Sequence, residues 1–190
     1  MTELAALLID LDGTLVDTAE ANFAAYAAAL GEVGVEMDRE SFEGLSAGRH
    51  WRQFLPDMVA CVAADPAAVA SRKQAIYPMM MAQTRVSPPV LALATMARAT
   101  LKLALVTTAS RSSVSAVLAA HDLASLFDAV VTGDDVAETK PAPDAYLLAA
   151  ERLGVSPSAC LAIEDTEAGS ESARRAGMKV LRIQTQTQAD

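Results

Sequence analysis

The stretch Leu7-Leu8-Ile9-Asp10-Leu11-Asp12-Gly13-Thr14-Leu15-Val16-Asp17-Thr18 passes from an unbroken apolar run into two aspartates, a glycine and a threonine. A short continuous apolar run that ends in turn residues reads as a strand buried on both faces. Alternation along the extended chain sets Asp10 and Asp12 on the same side where the strand emerges. Two carboxylates so close repel each other unless a cation sits between them or one is protonated, and either solution suits phosphoryl chemistry. Gly13 permits the sharp turn that follows. An Asp-rich turn that merely caps the next helix is the plain structural alternative.

Outward from this stretch, Leu4 to Ile9, Leu101 to Val106, Ala129 to Thr132, Cys160 to Ile163 and Lys179 to Ile183 are short apolar runs of the same kind. Between them, Val114, Val117, Leu118 and His121 repeat at helical spacing, as do Ala145, Leu148, Ala149 and Arg152. Strands alternating with crossover helices give an α/β fold, a Rossmann-like open parallel sheet with flanking helices. About ninety residues separate the first two runs, far more than a crossover helix needs. Phe23, Tyr26, Leu30 and Val33 mark one helical face in that interval, and Ser41 to Leu55 and Ala67 to Met81 suggest further helices, with no convincing strand. The expectation is a core of residues 1–18 and 89–190 and an inserted all-helical cap of residues 19–88 on two linkers, Pro88 and Pro89 stiffening the return crossing. The final QTQTQAD reads as a frayed tail.

Of the 190 residues, 52% are hydrophobic and 21% charged, which excludes intrinsic disorder. Fifteen Lys plus Arg against twenty-four Asp plus Glu leave a net charge of −9, so neither nucleic acid nor an anionic membrane is an expected partner. No run of about eighteen apolar residues occurs, and MTELAALLID lacks a basic leader, so a soluble cytoplasmic protein is expected. Cys61 and Cys160 are far apart and match no zinc-finger spacing, which fits a reducing compartment with both thiols packed as small apolar groups. Oligomeric state is open, with a monomer favoured.

Three further segments follow predicted strands. VTTAS offers Thr107 and Thr108 as donors at a helix start, a natural phosphate seat. KPAPDAY sets Lys140 ahead of a proline-stiffened helix entry, where a solvated lysine would be the ordinary reading. AIEDTEAG puts Glu164 and Asp165 at a strand end, as a helix cap or as half of a metal site. Ligands of open parallel sheets bind outside the carboxyl ends of the strands, so four separated segments are expected to converge on one crevice.

Together DLDGT, VTTAS, KPAPDAY and EDTEAG resemble the four ordered motifs of the haloacid dehalogenase superfamily of phosphohydrolases, and the match spans Asp10 to Gly177. The insertion resembles that family's helical cap, and the wording is similar to its β-phosphoglucomutase-like and sugar phosphatase branch. The resemblance implies a Mg²⁺-dependent phosphatase acting on a small phosphorylated metabolite through an aspartyl phosphate. It implies Asp10 as nucleophile, Asp12 as general acid and base, Thr107 as a hydrogen-bond donor to the phosphoryl group, and Lys140 as its neutraliser and the group that orients Asp10. Metal ligation would come from Asp10, the backbone carbonyl of Asp12, and Asp165, with Glu164 assisting. A phosphomutase is the alternative, disfavoured because Asn22 stands where such mutases carry a histidine and because Thr14 matches the phosphatase pattern. A non-catalytic binding protein of the same fold is the remaining class. Dehalogenases lack an acid at the position of Asp12, as do phosphonatases, which use a cap lysine; Lys73 is the only one in this cap.

The cap is expected to choose the substrate and to close over it, hinging near Thr18 and Pro88. Its densest polar cluster is GLSAGRHWRQF, where Arg49 and Arg52 suggest contacts to a remote anionic group and His50 and Trp51 a pocket lining; a solvated helix face and a packed tryptophan are the plain reading. Candidate substrate contacts are Gly13, Thr14, Asn22, Arg49 and Thr108. His121 reads as a packed side chain and the methionines as adaptable packing.

Overall fold

The computed structural model describes residues 3–46 and 48–184. All of the tail expected to fray except Gln184 lies outside them. Five parallel strands make one sheet: β1 (Ala6–Ile9), β4 (Lys102–Val106), β5 (Ala129–Val131), β6 (Cys160–Glu164) and β7 (Lys179–Arg182), in the order β5-β4-β1-β6-β7. β1 is central, with Ile9 opposite Leu105 of β4 on one side and Ile163 of β6 on the other. Chain order reverses at β1, since β4 and β5 lie to one side of it and β6 and β7 to the other. A crevice forms beyond the strand ends at such a reversal.

Alternation divides the core between the two faces of the sheet. Leu7, Ile9, Leu103, Leu105 and Ile163 join one apolar cluster with α6 (Arg111–Ala120) and the inserted helices. Ala6, Leu8, Ala104, Val106 and Ala162 face the other way, against α7 (Asp144–Leu153) and α8 (Glu167–Arg175). The alanines there let Tyr146, Ala149 and Leu153 of α7 approach the backbone closely.

Between β1 and β4 the chain inserts α1 (Ala19–Gly31), α2 (Arg39–Ser46), α3 (Trp51–Val59), α4 (Pro66–Ile76) and a 3-10 stretch, Tyr77–Gln83, before α5 (Pro88–Ala97) returns it to the sheet. Four expectations change. The helix read over Ser41 to Leu55 is two helices, because Gly48 takes a left-handed φ of +68° and His50 starts α3 afresh as its N-cap. The helix read over Ala67 to Met81 tightens to 3-10 at Tyr77, where Pro78 has no N–H to continue the α ladder. Pro88 and Pro89 open α5 rather than stiffen a linker; their missing N–H groups fall where a helix leaves them unpaired anyway. The insertion also contains a strand, β3 (Arg85–Val86), antiparallel to β2 (Val16–Asp17). That ribbon is too short to show a period, yet it ties the outgoing and returning chain together, with the Ser87 N–H donating to the Leu15 carbonyl at 2.8 Å. Among the described residues no single helix is long and apolar enough to cross a membrane.

Candidate active site

Asp10 follows the last paired residue of β1, its N–H donating to the Ile163 carbonyl at 3.0 Å, so its side chain is fixed at the centre of the sheet edge. It is buried. The chain then turns through Gly13 at φ +82°. A Cβ there would stand 2.3 Å from Asp165 Oδ2, so only glycine admits the carboxylate beneath the turn. The Thr14 hydroxyl donates to Asp165 Oδ1 at 3.0 Å.

Lys140 enters from the loop before α7 and is almost wholly covered. Its ammonium donates to Asp10 Oδ1 at 2.5 Å, Glu164 Oε1 at 2.5 Å and the Val106 carbonyl at 2.8 Å. Glu164, the last residue of β6, is completely buried and also accepts from the Tyr146 hydroxyl at 2.7 Å and the Thr166 hydroxyl at 3.2 Å. Gly169 leaves it room: a Cβ in that position would lie 2.1 Å from the carboxylate. Thr166 caps α8 by accepting from the Gly169 N–H, which holds that helix start against β6.

Asp12 faces a different set of donors. Its Oδ1 accepts from the Thr18 hydroxyl at 2.5 Å and the Asn22 amide at 3.3 Å, and its Oδ2 from the Thr107 hydroxyl at 3.1 Å. Thr107 is anchored by the β5 register, its N–H donating to the Val131 carbonyl at 3.0 Å. Asn22 in turn accepts from the Lys73 ammonium at 2.9 Å, and Lys73 also donates to Ser113 Oγ of α6 at 3.1 Å. The rings of Tyr77 and Tyr26 flank that ammonium at 3.6 and 4.9 Å. Burial lowers the Lys73 pKa to about 8, with the nearby charge of Asp12 opposing.

Of the residues singled out in the sequence, Asp10, Lys140, Glu164 and Asp165 converge, and Asp12, Thr107 and Asn22 form the adjoining network. Thr14, expected among the substrate contacts, turns its hydroxyl to Asp165. Thr108 is half-buried, with its carbonyl pressed towards Gly133. Arg49 stays outside: it is exposed and donates to the Leu45 and Gln53 carbonyls, because it precedes the α3 cap and folds back over the broken helix. Arg52 reaches Asp134 instead of sharing a face with Arg49. His121 caps α6 and meets Thr84 Oγ1 at 2.7 Å. Sequence reading marks Thr18 as a hinge position without its bond to Asp12, misses Ser113, Tyr146 and Gly169, and gives Lys73 no part. For Gly169 a signal existed, since it closes the EDTEAG motif.

Oxygens of Asp10, Glu164 and Asp165 lie within 4.8 Å of one another. Burial pushes the Asp10 carboxyl well above the usual range; Lys140 opposes this, while Glu164 and Asp165 add to it. Asp165 is raised as well, by burial first and, against its bond from Thr14, by Glu164. For Lys140 burial works against the charge, yet Asp10 and Glu164 hold its pKa well above normal, so it is a fixed cation. One ammonium for three converging carboxylates leaves the group short of positive charge, and all-oxygen donors suit a small hard divalent cation. The residues fit a metal of that class.

A family profile described as haloacid dehalogenase-like hydrolase matches residues 7–183. The fructose-1-phosphate phosphatase YqaB of Escherichia coli is 34% identical, over 94% of this chain and 96% of its own length. The validoxylamine A 7'-phosphate phosphatase of Streptomyces hygroscopicus is 30% identical, over 96% and 87%. Among solved structures, CbbY from Rhodobacter sphaeroides in complex with xylulose-(1,5)-bisphosphate superposes with a TM-score of 0.88 at 29% identity, over 95% of this chain and 86% of that one. With its sheet order, its helical insertion and a profile match over nearly the whole chain, the protein belongs to the haloacid dehalogenase-like hydrolases and is an enzyme of their phosphatase kind.

Proposed function

We propose that the enzyme hydrolyses the phosphate monoester of a small sugar or sugar-like metabolite, in the cytoplasm and with Mg²⁺, through a phosphorylated Asp10. The observation that carries this reading is the Asp10 carboxylate, fixed at 2.5 Å by a buried lysine within a group of three acids at the strand ends. An alkyl phosphate dianion and a carboxylate repel, so the site must supply positive charge where charge spreads in the transition state. Asp10, Asp165, Glu164 and the Asp12 carbonyl would hold Mg²⁺, which when bound draws charge from the phosphoryl oxygens.

The chain's own groups do the rest. Lys140 opposes the burial that favours protonation of Asp10 and aims its carboxylate. An Asp10 oxygen forms a bond to phosphorus as the ester P–O bond breaks, and Asp12 passes a proton to the departing alkoxide. Asp12 then takes a proton from water as that water attacks the same phosphorus, releasing inorganic phosphate and restoring the Asp10 carboxylate. Thr107, now donating to Asp12, turns its hydroxyl to a phosphoryl oxygen when substrate binds, and the Thr108 and Gly13 backbone supports the same group. Residues 19–88 act as the cap that sequesters the ester, with Asn22 beside the leaving group. Sugar phosphates are the favoured class because the named activities of the relatives above fall on phosphorylated sugars or sugar-like compounds.

The test is a panel of sugar phosphates with and without Mg²⁺, run on the wild type and on Asp10→Asn. Hydrolysis in the wild type that falls by about 10³-fold or more in the variant is expected. Undiminished hydrolysis in a clean Asp10→Asn preparation would overturn the assignment of the nucleophile. Isomerisation of a hexose 1-phosphate faster than phosphate release would replace hydrolysis with phosphoryl return.

A further inference from the structure

The insertion meets the sheet domain at a further buried polar contact, away from the three converging acids. His50 is almost wholly covered. Its Nδ1 accepts from the Arg52 N–H at 3.4 Å, capping α3, so the ring proton of a neutral imidazole lies on Nε2. Burial first, and then the charge of Arg52, hold the His50 pKa below its usual value, while Asp134 opposes them. Nε2 points across the crevice to Asp134 Oδ1 at 3.5 Å and, buried, has no hydrogen-bond partner among the described residues. Arg52 Nη1 reaches the same oxygen at 3.3 Å.

The approach requires Gly133. A Cβ there would stand 2.5 Å from His50 Cδ2 and 2.3 Å from the Thr108 carbonyl. On its other side the Gly133–Asp134 loop is joined to the phosphate seat: the Gly133 N–H donates to the Ala109 carbonyl at 2.9 Å, and Asp134 Oδ2 accepts from the Arg111 N–H at 2.8 Å, at the first residue of α6. One loop therefore touches both the insertion and the segment that follows Thr107 and Thr108.

We propose that His50, with Arg52, is the latch of the cap: a small further approach makes the Nε2–H···Asp134 hydrogen bond, and Asp134 passes closure to the start of α6 beside Thr107. His50 is a positioning residue in this account, acting through Asp134. The proposal rests on the reading of residues 19–88 as a cap over the phosphatase site, and its first readout needs no substrate.

Two substitutions separate the latch from the helix cap. The asparagine amide imitates the Nδ1 end of histidine and the glutamine amide its Nε2 end, so His50→Asn keeps the cap of α3 and loses the reach to Asp134, and His50→Gln does the reverse. Trp51, the only tryptophan, has its ring centroid 5.5 Å from that of His50 and reports the state of the contact. We expect stronger acrylamide quenching of Trp51 in His50→Asn, near-normal quenching in His50→Gln, and a fall of about tenfold in kcat/KM for the asparagine variant alone, the loss expected for one hydrogen bond to a charged group. The opposite order, with His50→Asn normal and His50→Gln impaired in both readouts, would reduce His50 to a helix cap and overturn the proposal. If His50→Asn loses its helical circular dichroism, Asp134→Asn takes its place, because it keeps an oxygen for the Arg111 N–H; unchanged quenching there would equally overturn the latch. Absence of turnover on every phosphate ester, with quenching as expected, would refute the phosphatase reading and leave the latch standing.

Discussion

Asp10 and Lys140 come from positions 130 apart and meet at 2.5 Å with both side chains covered, whereas Arg49 and Arg52, neighbours in the chain, go separate ways on an exposed rim. The floor of the crevice is held by charges that lack water to replace a lost partner. The rim is held by contacts that solvent can imitate. Removing one member of a buried pair strands the other, at a cost of about 3–5 kcal/mol, while exposed pairs contribute about 0–1 kcal/mol. Stability should therefore fall sharply when the floor is altered and hardly change when the rim is, Arg52 acting there on closure rather than on stability.

The largest effect is expected from Lys140→Met, which leaves Asp10 and Glu164 facing each other with no cation. Unfolding in urea should show a loss of about 3–5 kcal/mol, and Mg²⁺ should restore part of it by binding the stranded acids. A loss below about 1 kcal/mol would put the floor in the same class as the rim.

Lys73 lies between the two regimes, as a buried cation held by neutral partners. Its pKa of about 8 in the folded chain is depressed from 10.5, so between those values the unfolded chain binds more protons and stability rises with pH. Relative to Lys73→Met, the wild type should therefore gain up to about 3 kcal/mol as pH climbs from 8 towards 10.5. Urea titrations of both proteins across that window check it, and a flat difference would mean that Lys73 is solvated.

The smallest effect belongs to Arg49→Ala. Among the described residues its guanidinium hydrogen-bonds only to carbonyls of its own segment, so stability should move by less than about 0.5 kcal/mol and KM by less than about twofold. A tenfold rise in KM would return Arg49 to the substrate.

The same contrast decides what could be read before folding. Asp10, Lys140, Glu164 and Asp165 stand at strand ends because a parallel sheet collects those ends into one crevice, and their apolar runs are long enough to identify. Lys73 sits in the polar run Ser71-Arg72-Lys73-Gln74, in which nothing local signals burial; in the fold Tyr26, Tyr77, Asn22 and Ser113 surround its ammonium. Thr18 and Ser113 are common helix-start residues whose partners, Asp12 and Lys73, are fixed by tertiary structure. The helix read over Ser41 to Leu55 breaks at Gly48 because of that residue's left-handed backbone, which residue spacing alone does not show. β2 and β3 are two residues each, below the length at which alternation carries information.

A bond between phosphorus and Asp10 is the central step of the proposed reaction. Enzyme mixed with a hydrolysed sugar phosphate and Mg²⁺ should be quenched in acid within one turnover, digested, and its peptides weighed. One phosphoryl group on the peptide that carries Asp10, absent from Asp10→Asn, is the predicted result. Active turnover with that peptide unmodified at every quench time, or with the group on another residue, would contradict it.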